Sequence, residues 1–438
     1  LHFFFYKIDL KLKGSFVNKK FLIVRVCNKL TEIKYLVDNT KVFPLLTMYK
    51  YKIFNNIAED GVAVLKSHNF TTSDDKPDAI ILRSKILSRD DLNESLYCIG
   101  RAGAGTNNIP TEEATKQGVV VFNTPGANAN AVKELVVCGL LLSSRGIIQG
   151  NNFSKTLSGL DSNSLNLAME EQKKIFRGTE LKGKTLGIIG LGSIGSLVAQ
   201  TAQNMGMNII GFDPHISIDS AWRLPKEVEK AESLEDLLSL SDYVSLHVPL
   251  VDATKDLLSL DKLKHCKKGA KIINLSRGGI VNNNDIIKAL DENIVSNFIT
   301  DFPTPELITR SNTAQDVILL PHLGASTKEA EINCAYMACE QVCNFLLHGN
   351  IVNSTNFPPI KLGRSTPFRL VIINKNEPGM IGKIADEIAA ANINIADMTN
   401  KSRDEIAINL IDINDKPSQN LITNLQEIDH VLSVRICN

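Results

Sequence analysis

The sequence predicts an α/β protein: two doubly wound parallel-sheet domains, one inserted in the other, followed by a small antiparallel α+β unit. Three observations carry that prediction. Short apolar runs alternate with helix-like segments from Tyr49 to Leu347, the pattern of parallel strands covered on both faces. A strand enters the turn Gly190-Leu191-Gly192-Ser193-Ile194-Gly195, a small-residue helix follows, and a second strand ends on Asp213. Beyond a stretch holding Pro358, Pro359 and Pro367, strand and helix patterns recur in the order βαββαβ, which gives a ferredoxin-like sandwich.

Residues 1–47 carry nine Lys/Arg against three Asp/Glu and show no clean period, so they read as a dispensable extension, with the first domain starting at Met48. Strands are expected at Tyr51–Phe54, Ala79–Leu82, Leu96–Ile99 and Val119–Phe122, with a long small-residue helix from Ala129 to Arg145. The polar stretch from Gly150 to Asn166 reads as an exposed loop or insertion.

The glycine turn opens the second domain. Gly190 permits the tight turn, and Gly192 lets the backbone approach a pyrophosphate at the helix N-terminus, beside Ser193 and Ile194. Gly195 allows close helix-to-strand packing. Asp213 is placed to accept from both ribose hydroxyls, and its charge repels a 2′-phosphate, so the expected cofactor is NAD. Further strands at Tyr243–Val248, Ala270–Leu275, Asn297–Thr300 and Val317–Leu320 bring this Rossmann sheet to six. The helix Lys328–Leu347, with Ala330, Cys334, Ala338, Val342 and Phe345 on one face, returns the chain to the first domain.

The expected domains are therefore the extension 1–47, a flavodoxin-like substrate-binding domain of 48–146 with 325–352, an NAD-binding domain of 147–324, a linker of 353–367 and a C-terminal unit of 368–438. In the last, the helix after Pro378-Gly379 has Ile381, Ile384 and Ile388 on its apolar face.

The totals exclude several classes. Forty-eight basic residues balance forty-eight acidic ones, which removes the electrostatic case for nucleic acid. No apolar run is long enough for a membrane span. The eight cysteines lack paired C-x-x-C spacing, and Cys334, Cys339 and Cys343 read as buried thiols on one helix, so no metal is expected and a cytoplasmic location fits.

Three residues at strand C-terminal ends could do chemistry, where doubly wound sheets hold their ligands. Arg277 has the fork that suits a carboxylate. His322, held by the carboxylate of Glu306, could take the hydroxyl proton of a secondary alcohol as its hydride departs.

With these motifs, Gly100-Arg101-Ala102-Gly103-Ala104-Gly105, Asn123-Thr124-Pro125-Gly126-Ala127-Asn128 and Pro321-His322-Leu323-Gly324-Ala325-Ser326-Thr327, the chain from 48 to 438 resembles the D-isomer-specific 2-hydroxyacid dehydrogenases that carry an ACT domain. The resemblance implies that Arg277, Glu306 and His322 are catalytic. It also implies that Ser276, Asp301 and Gly324 lie near the nicotinamide, with His247 and Pro249 beside the cofactor. Thr254, counted with them, reads as a helix cap. Arg83, Ser84, Gly103, Gly105 and Asn128, with Arg277, are implied to shape the substrate pocket, Arg83 toward a phosphate, which points to 3-phosphoglycerate. Asn374, Asn376 and Asn394 are implied effector contacts, with L-serine the natural effector and a homodimer or homotetramer the assembly. Two departures stand out: the acid follows Pro305 where the family has it before a proline, and Lys133 replaces a common alanine. Rival readings are a reductase of glyoxylate or hydroxypyruvate, and a non-enzymatic NADH-sensing scaffold.

Overall fold

The structure, a computed structural model, describes the backbone of residues 2–12, 15–25, 34–38 and 41–44, and the chain from Tyr49 to Cys437 except the Asp219 side chain. Met48 lies outside the described residues. The chain divides into two compact units, residues 1–124 with 335–438, and residues 125–334.

The first unit holds three sheets. Strands β1 (His2–Leu12), β2 (Ser15–Arg25), β3 (Lys34–Asp38) and β4 (Lys41–Pro44) pair antiparallel in sequence order. Sequence reading expected no regular element there. The period-two alternation from Lys7 to Leu12 was the signal available. Strands β5 (Lys50–Ile53), β6 (Thr71–Thr72), β7 (Ala79–Leu82), β8 (Cys98–Arg101) and β9 (Val120–Phe122) form a parallel sheet ordered β6-β5-β7-β8-β9. That is the flavodoxin-like order. All four residues of β7 and all three of β9 are buried, as expected of parallel strands covered on both faces.

The second unit is built on seven parallel strands: β10 (Thr185–Ile189), β11 (Asn208–Phe212), β12 (Glu229–Lys230), β13 (Tyr243–Leu246), β14 (Ala270–Asn274), β15 (Val295–Thr300) and β16 (Val317–Leu319). Their order is β12-β11-β10-β13-β14-β15-β16, the nucleotide-binding order in which the chain reverses direction across the sheet after β12. The two-residue strand β12 was not anticipated, because Glu229-Lys230 is exposed and carries no apolar signal. The helix Ala129–Ser144, expected in the first domain, belongs to this unit. Its Val132, Val136 and Leu140 pack with Leu186, Ile188 and Ile273. The expected loop at Gly150–Asn166 is a correction: helices Ile147–Thr156 and Ser162–Gln172 occupy it. Asp161 caps the second by accepting from the amides of Asn163 and Ser164, an N-cap hidden in a polar run.

The C-terminal sheet, part of the first unit, comprises β17 (Phe368–Lys375), β18 (Ile395–Arg403), β19 (Ile406–Ile413) and β20 (Val431–Cys437), antiparallel and ordered β18-β19-β17-β20. Helices Met380–Ala390 and Gln419–Glu427 cover one face through Ile384, Ile388, Leu421 and Leu425. Met380 is buried while Ile381 is 47% exposed, so the expected face Ile381-Ile384-Ile388 is Met380-Ile384-Ile388. All eight residues of β19 are buried, so the opposite face is covered as well.

Candidate active site

The glycine turn follows β10. Gly190 has φ +90, in the left-handed region, and a Cβ there would lie 2.6 Å from the His247 carbonyl oxygen. A Cβ on Gly195 would lie 2.0 Å from the Gly190 carbonyl oxygen, so the helix Ser193–Asn204 approaches the strand as closely as backbone allows. Gly192, at the helix N-cap, faces open space: nothing stands within 4 Å of a Cβ added to it. One glycine serves the turn, one the packing, and one leaves a cradle for an anion at the helix N-terminus.

Asp213 follows β11. Its Oδ2 accepts from the Leu191 amide at 2.8 Å and its Oδ1 from the His215 amide at 3.0 Å, which ties the acid to the glycine turn. Beside it lies a cavity of about 510 Å³ lined by Leu191, Phe212, Pro214, Ile216, Leu224 and Val228. Asp213, Glu229, Lys230 and Glu232 also line it, so the recess joins an apolar wall, which suits the base of an adenosine, to carboxylates that can accept from ribose hydroxyls.

The strand ends β13 to β16 carry the remaining chemistry. Asn274 organises the loop after β14: its Nδ2 donates to the Arg277 carbonyl at 2.9 Å, and its Oδ1 accepts from the Ser276 amide and hydroxyl at 3.2 and 3.1 Å. Arg277 is half-buried, with Nη1 donating to the Ser276 carbonyl at 2.6 Å. After β15, Asp301 is 1% exposed, and burial pushes its carboxyl above the usual range. Its Oδ2 accepts from the Gly324 amide at 2.8 Å; that bond and the charges of His322 and Arg277 pull in the opposite direction. Its Oδ1 is buried with no hydrogen-bond partner.

His322 adopts φ +51 in a turn where its amide donates to the Asp301 carbonyl at 3.0 Å, and its ring lies 5.1 Å from that of Phe302. Arg277, Asp301 and His322 thus share one end of the sheet. Glu306 does not join them. Exposed in the first turn of the helix Pro305–Thr313, it accepts hydrogen bonds from its own amide and the Thr304 hydroxyl, which lower its acidity range below the usual value. No hydrogen bond or ion pair joins it to His322 among the described residues, so the expected Glu306–His322 pair is corrected: the carboxylate in the field of His322 is Asp301. The displaced proline starts a helix at Pro305 and carries the next side chain outward.

His247 follows β13, with Nε2 2.9 Å from the Ser245 hydroxyl and Nδ1 without a partner; burial lowers its pKa to about 3, so the ring is neutral. The Thr254 hydroxyl donates to the Pro249 carbonyl at 2.5 Å and accepts from the Val251 amide at 2.9 Å, closing that turn. Asn128 is the N-cap residue of the helix Ala129–Ser144, and its Oδ1 is buried without a partner.

Arg83, Ser84, Gly103 and Gly105 belong to the first unit. There Asn55 Oδ1 accepts from the Ser84 and Lys85 amides at 3.0 and 2.8 Å, and Arg101 Nε donates to the Arg83 carbonyl at 3.1 Å. A Cβ on Gly103 would lie 1.9 Å from Arg101 Nη1. Asn55 and Arg101 were given no role from sequence, because each acts on backbone contributed by another segment; Asn274 was given none either, although its contacts lie within its own loop. Of the expected effector contacts, Asn376 and Asn394 are exposed, but the Asn374 amide is committed inward: its Oδ1 accepts from Asn409 at 2.7 Å and its Nδ2 donates to the Lys375 carbonyl at 2.6 Å.

A Rossmann-ordered sheet with a glycine turn, a terminal acid and a cation–imidazole pair at its carboxyl edge defines a nicotinamide-dependent dehydrogenase-type domain. Residues 145–324 match the family model described as D-isomer specific 2-hydroxyacid dehydrogenase, NAD binding domain. The chain belongs to that family. It is 34% identical to D-3-phosphoglycerate dehydrogenase of Methanocaldococcus jannaschii over 78% of this chain and 63% of that protein. It is 32% identical to the enzyme of the same name from Haemophilus influenzae over 78% of this chain and 81% of that one. The NAD⁺-bound 3-phosphoglycerate dehydrogenase of Entamoeba histolytica superposes with a TM-score of 0.57 at 25% identity, covering 71% of this chain and 99% of that one. The holo D-mandelate dehydrogenase of Rhodotorula graminis shares the fold, with a TM-score of 0.62 at 22% identity over 72% of this chain and 100% of its own. The chain spans less than two thirds of the length of several relatives it matches, 63% for Methanocaldococcus and 59% for Bacillus subtilis.

Proposed function

We propose that the protein oxidises 3-phospho-D-glycerate to 3-phosphohydroxypyruvate with NAD⁺, the reaction that opens phosphorylated serine synthesis. The observation that carries the reading is the grouping of Arg277, Asp301 and His322 at the carboxyl edge of the sheet that holds the glycine turn and Asp213. The residues fit the cofactor. Gly192 leaves room for the pyrophosphate, Asp213 meets the ribose, and the partnerless Oδ1 of Asp301 is an acceptor for the carboxamide N–H. NAD⁺, when bound, supplies the hydride acceptor.

The chain's own groups do the rest. Arg277 grips the substrate carboxylate through its fork and draws electron density from C2. His322 accepts the hydroxyl proton at a ring nitrogen as the C2–H bond breaks, and returns it in the reverse direction. Arg83, in a loop shaped by Asn55 and Asn108, is the cation we assign to the distal phosphate. The partnerless Nδ1 of the neutral His247 is the atom we assign to the cofactor.

The C-terminal unit is proposed as an ACT domain that binds L-serine, supported by its βαββαβ order, the exposed Asn376 and Asn394, and the left-handed Gly379 at φ +84 before its first helix. Self-association as a dimer or tetramer is supported by the exposed Leu141, Ile147, Leu167 and Ile175 on neighbouring helices. Cys98, Cys138, Cys266, Cys339, Cys343 and Cys437 are free thiols, which suits a cytoplasmic location, and no helix among the described residues is long and apolar enough to cross a membrane.

NADH absorbance followed with 3-phosphoglycerate, 3-phosphohydroxypyruvate, hydroxypyruvate and glyoxylate tests the reading. Turnover confined to the phosphorylated pair is expected. Faster turnover of the small oxo acids selects a reductase, and NADH binding without turnover selects a scaffold.

A further inference from the structure

Directly after β7 the chain runs Arg83-Ser84-Lys85, a loop whose backbone is held by side chains from three other segments. Asn55, two residues past β5, presents one oxygen on which three consecutive amides converge: its Oδ1 accepts from Lys85 at 2.8 Å, Ser84 at 3.0 Å and Arg83 at 3.4 Å. Asn108 grips the carbonyl side. Its Nδ2 donates to Lys85 at 2.7 Å and to Arg83 at 3.2 Å, and its own carbonyl accepts from the Leu87 amide at 2.9 Å. Arg101 Nε adds a second donor to the Arg83 carbonyl at 3.1 Å.

Amides that converge on one point make a concavity of the kind that holds anions. Here a neutral side-chain oxygen fills it. With the three amides committed to Asn55, recognition of an anion at this strand end falls to side chains, and Arg83 is the half-buried cation among them. A guanidinium reads an anion by geometry, so its value depends on how firmly its own backbone is held. Asn55 supplies that hold from a left-handed backbone, φ +68, which asparagine tolerates better than most residues with a side chain.

We propose that Asn55, assisted by Asn108, is a positioning residue that sets substrate specificity: it holds the Arg83 loop in the arrangement that meets a phosphate, and so fixes the preference for a phosphorylated acid over its unphosphorylated counterpart. Asn55 acts through Arg83. The inference rests on the assignment of Arg83 to the distal phosphate above. An unphosphorylated 2-oxo acid makes no demand on this loop, so loosening it affects one substrate and spares the other. If the loop is competent one fifth of the time, apparent affinity for the phosphorylated acid falls about five-fold.

The test compares the full chain with Asn55→Gly, which keeps the left-handed backbone and removes the oxygen, and Asn55→Asp, which keeps an acceptor. Reduction of 3-phosphohydroxypyruvate and of hydroxypyruvate by NADH is followed in each. In Asn55→Gly, KM for the phosphorylated acid is expected to rise about five-fold, with kcat/KM for hydroxypyruvate and NADH affinity unchanged; Asn55→Asp recovers most of the loss. Equal losses on both substrates would reduce Asn55 to a structural role and overturn the proposal, and so would no loss on either. Arg83→Met is the control: a loss there confined to the phosphorylated acid, with none in Asn55→Gly, overturns the proposal alone. A wild type without preference for the phosphorylated acid, or Arg83→Met without that selective loss, refutes the functional reading and the proposal falls with it. Should Asn55→Gly fail to fold, Asn108→Ala, which releases the Arg83 and Lys85 carbonyls, is judged on the same ratio.

Discussion

Two glycines of one turn should fail in opposite ways when each is replaced by alanine. At Gly195 the added Cβ lies 2.0 Å from the Gly190 carbonyl oxygen, while ordinary contact begins at 3.4 Å, so helix and strand must part by about 1.4 Å. Both are backbone-anchored, which puts the cost at the upper end of the overpacking range, about 3 kcal/mol. Alanine returns about 1 kcal/mol of helix propensity, for a net loss near 2 kcal/mol. That lowers the melting temperature of the second unit by about 4–8 °C. At Gly192 the Cβ meets nothing, so the stability change is confined to a poorer N-cap, about 1 kcal/mol. Its methyl group instead fills the cradle at the helix N-terminus and should weaken NADH binding at least about ten-fold, 1.4 kcal/mol. Calorimetry with NADH titration separates the two. NADH affinity unchanged in Gly192→Ala, or a melting temperature unchanged in Gly195→Ala, would refute this division of labour.

Replacing His322 with alanine should cut turnover by about a hundred-fold or more while NADH affinity holds, checked by steady-state kinetics and fluorescence titration. Because Asp301 is buried among Arg277, His322 and the Gly324 amide while Glu306 points to solvent, Asp301→Asn should lower kcat well beyond Glu306→Gln; the reverse ranking would restore Glu306 as the partner of His322. Asp412→Ala strands the buried Arg369 and should cost about 3–5 kcal/mol in urea unfolding, more than the double change Arg369→Met with Asp412→Leu. The pKa of His247 falls from 6.5 to about 3 on burial, so the unfolded chain binds the extra proton and stability declines as pH drops through that window. His247→Gln should flatten the decline of melting temperature between pH 6.5 and 3.

Much of the fold was legible because it depends on local order. The glycine turn, the apolar parallel strands and Asp213 are contiguous signals, and each reappears with little change of boundary: the strand read from Lys184 to Ile189 is β10, Thr185–Ile189. The helix read from Lys328 to Leu347 ends one residue later. The misses share a cause. Helices at 147–172 are polar and exposed, and strand β12 has two charged residues, so neither carries a hydrophobic period. Ile381 and Met380 are adjacent, and the pattern alone cannot say which of two apolar neighbours turns inward.

What the sequence determined by itself is the kind of chemistry available: a dinucleotide turn, an acid selecting NAD, an arginine and a histidine at strand ends. These follow from backbone geometry within a few residues, which side-chain spacing reports directly. Tertiary structure decided who meets whom. It turned Glu306 outward and left Asp301 beside His322, committed Asn374 to Asn409, and set Asn55 and Asn108 on the loop that carries Arg83. Such pairings join residues tens of positions apart, held by burial and by the need of every buried polar group for a partner. No local pattern encodes them.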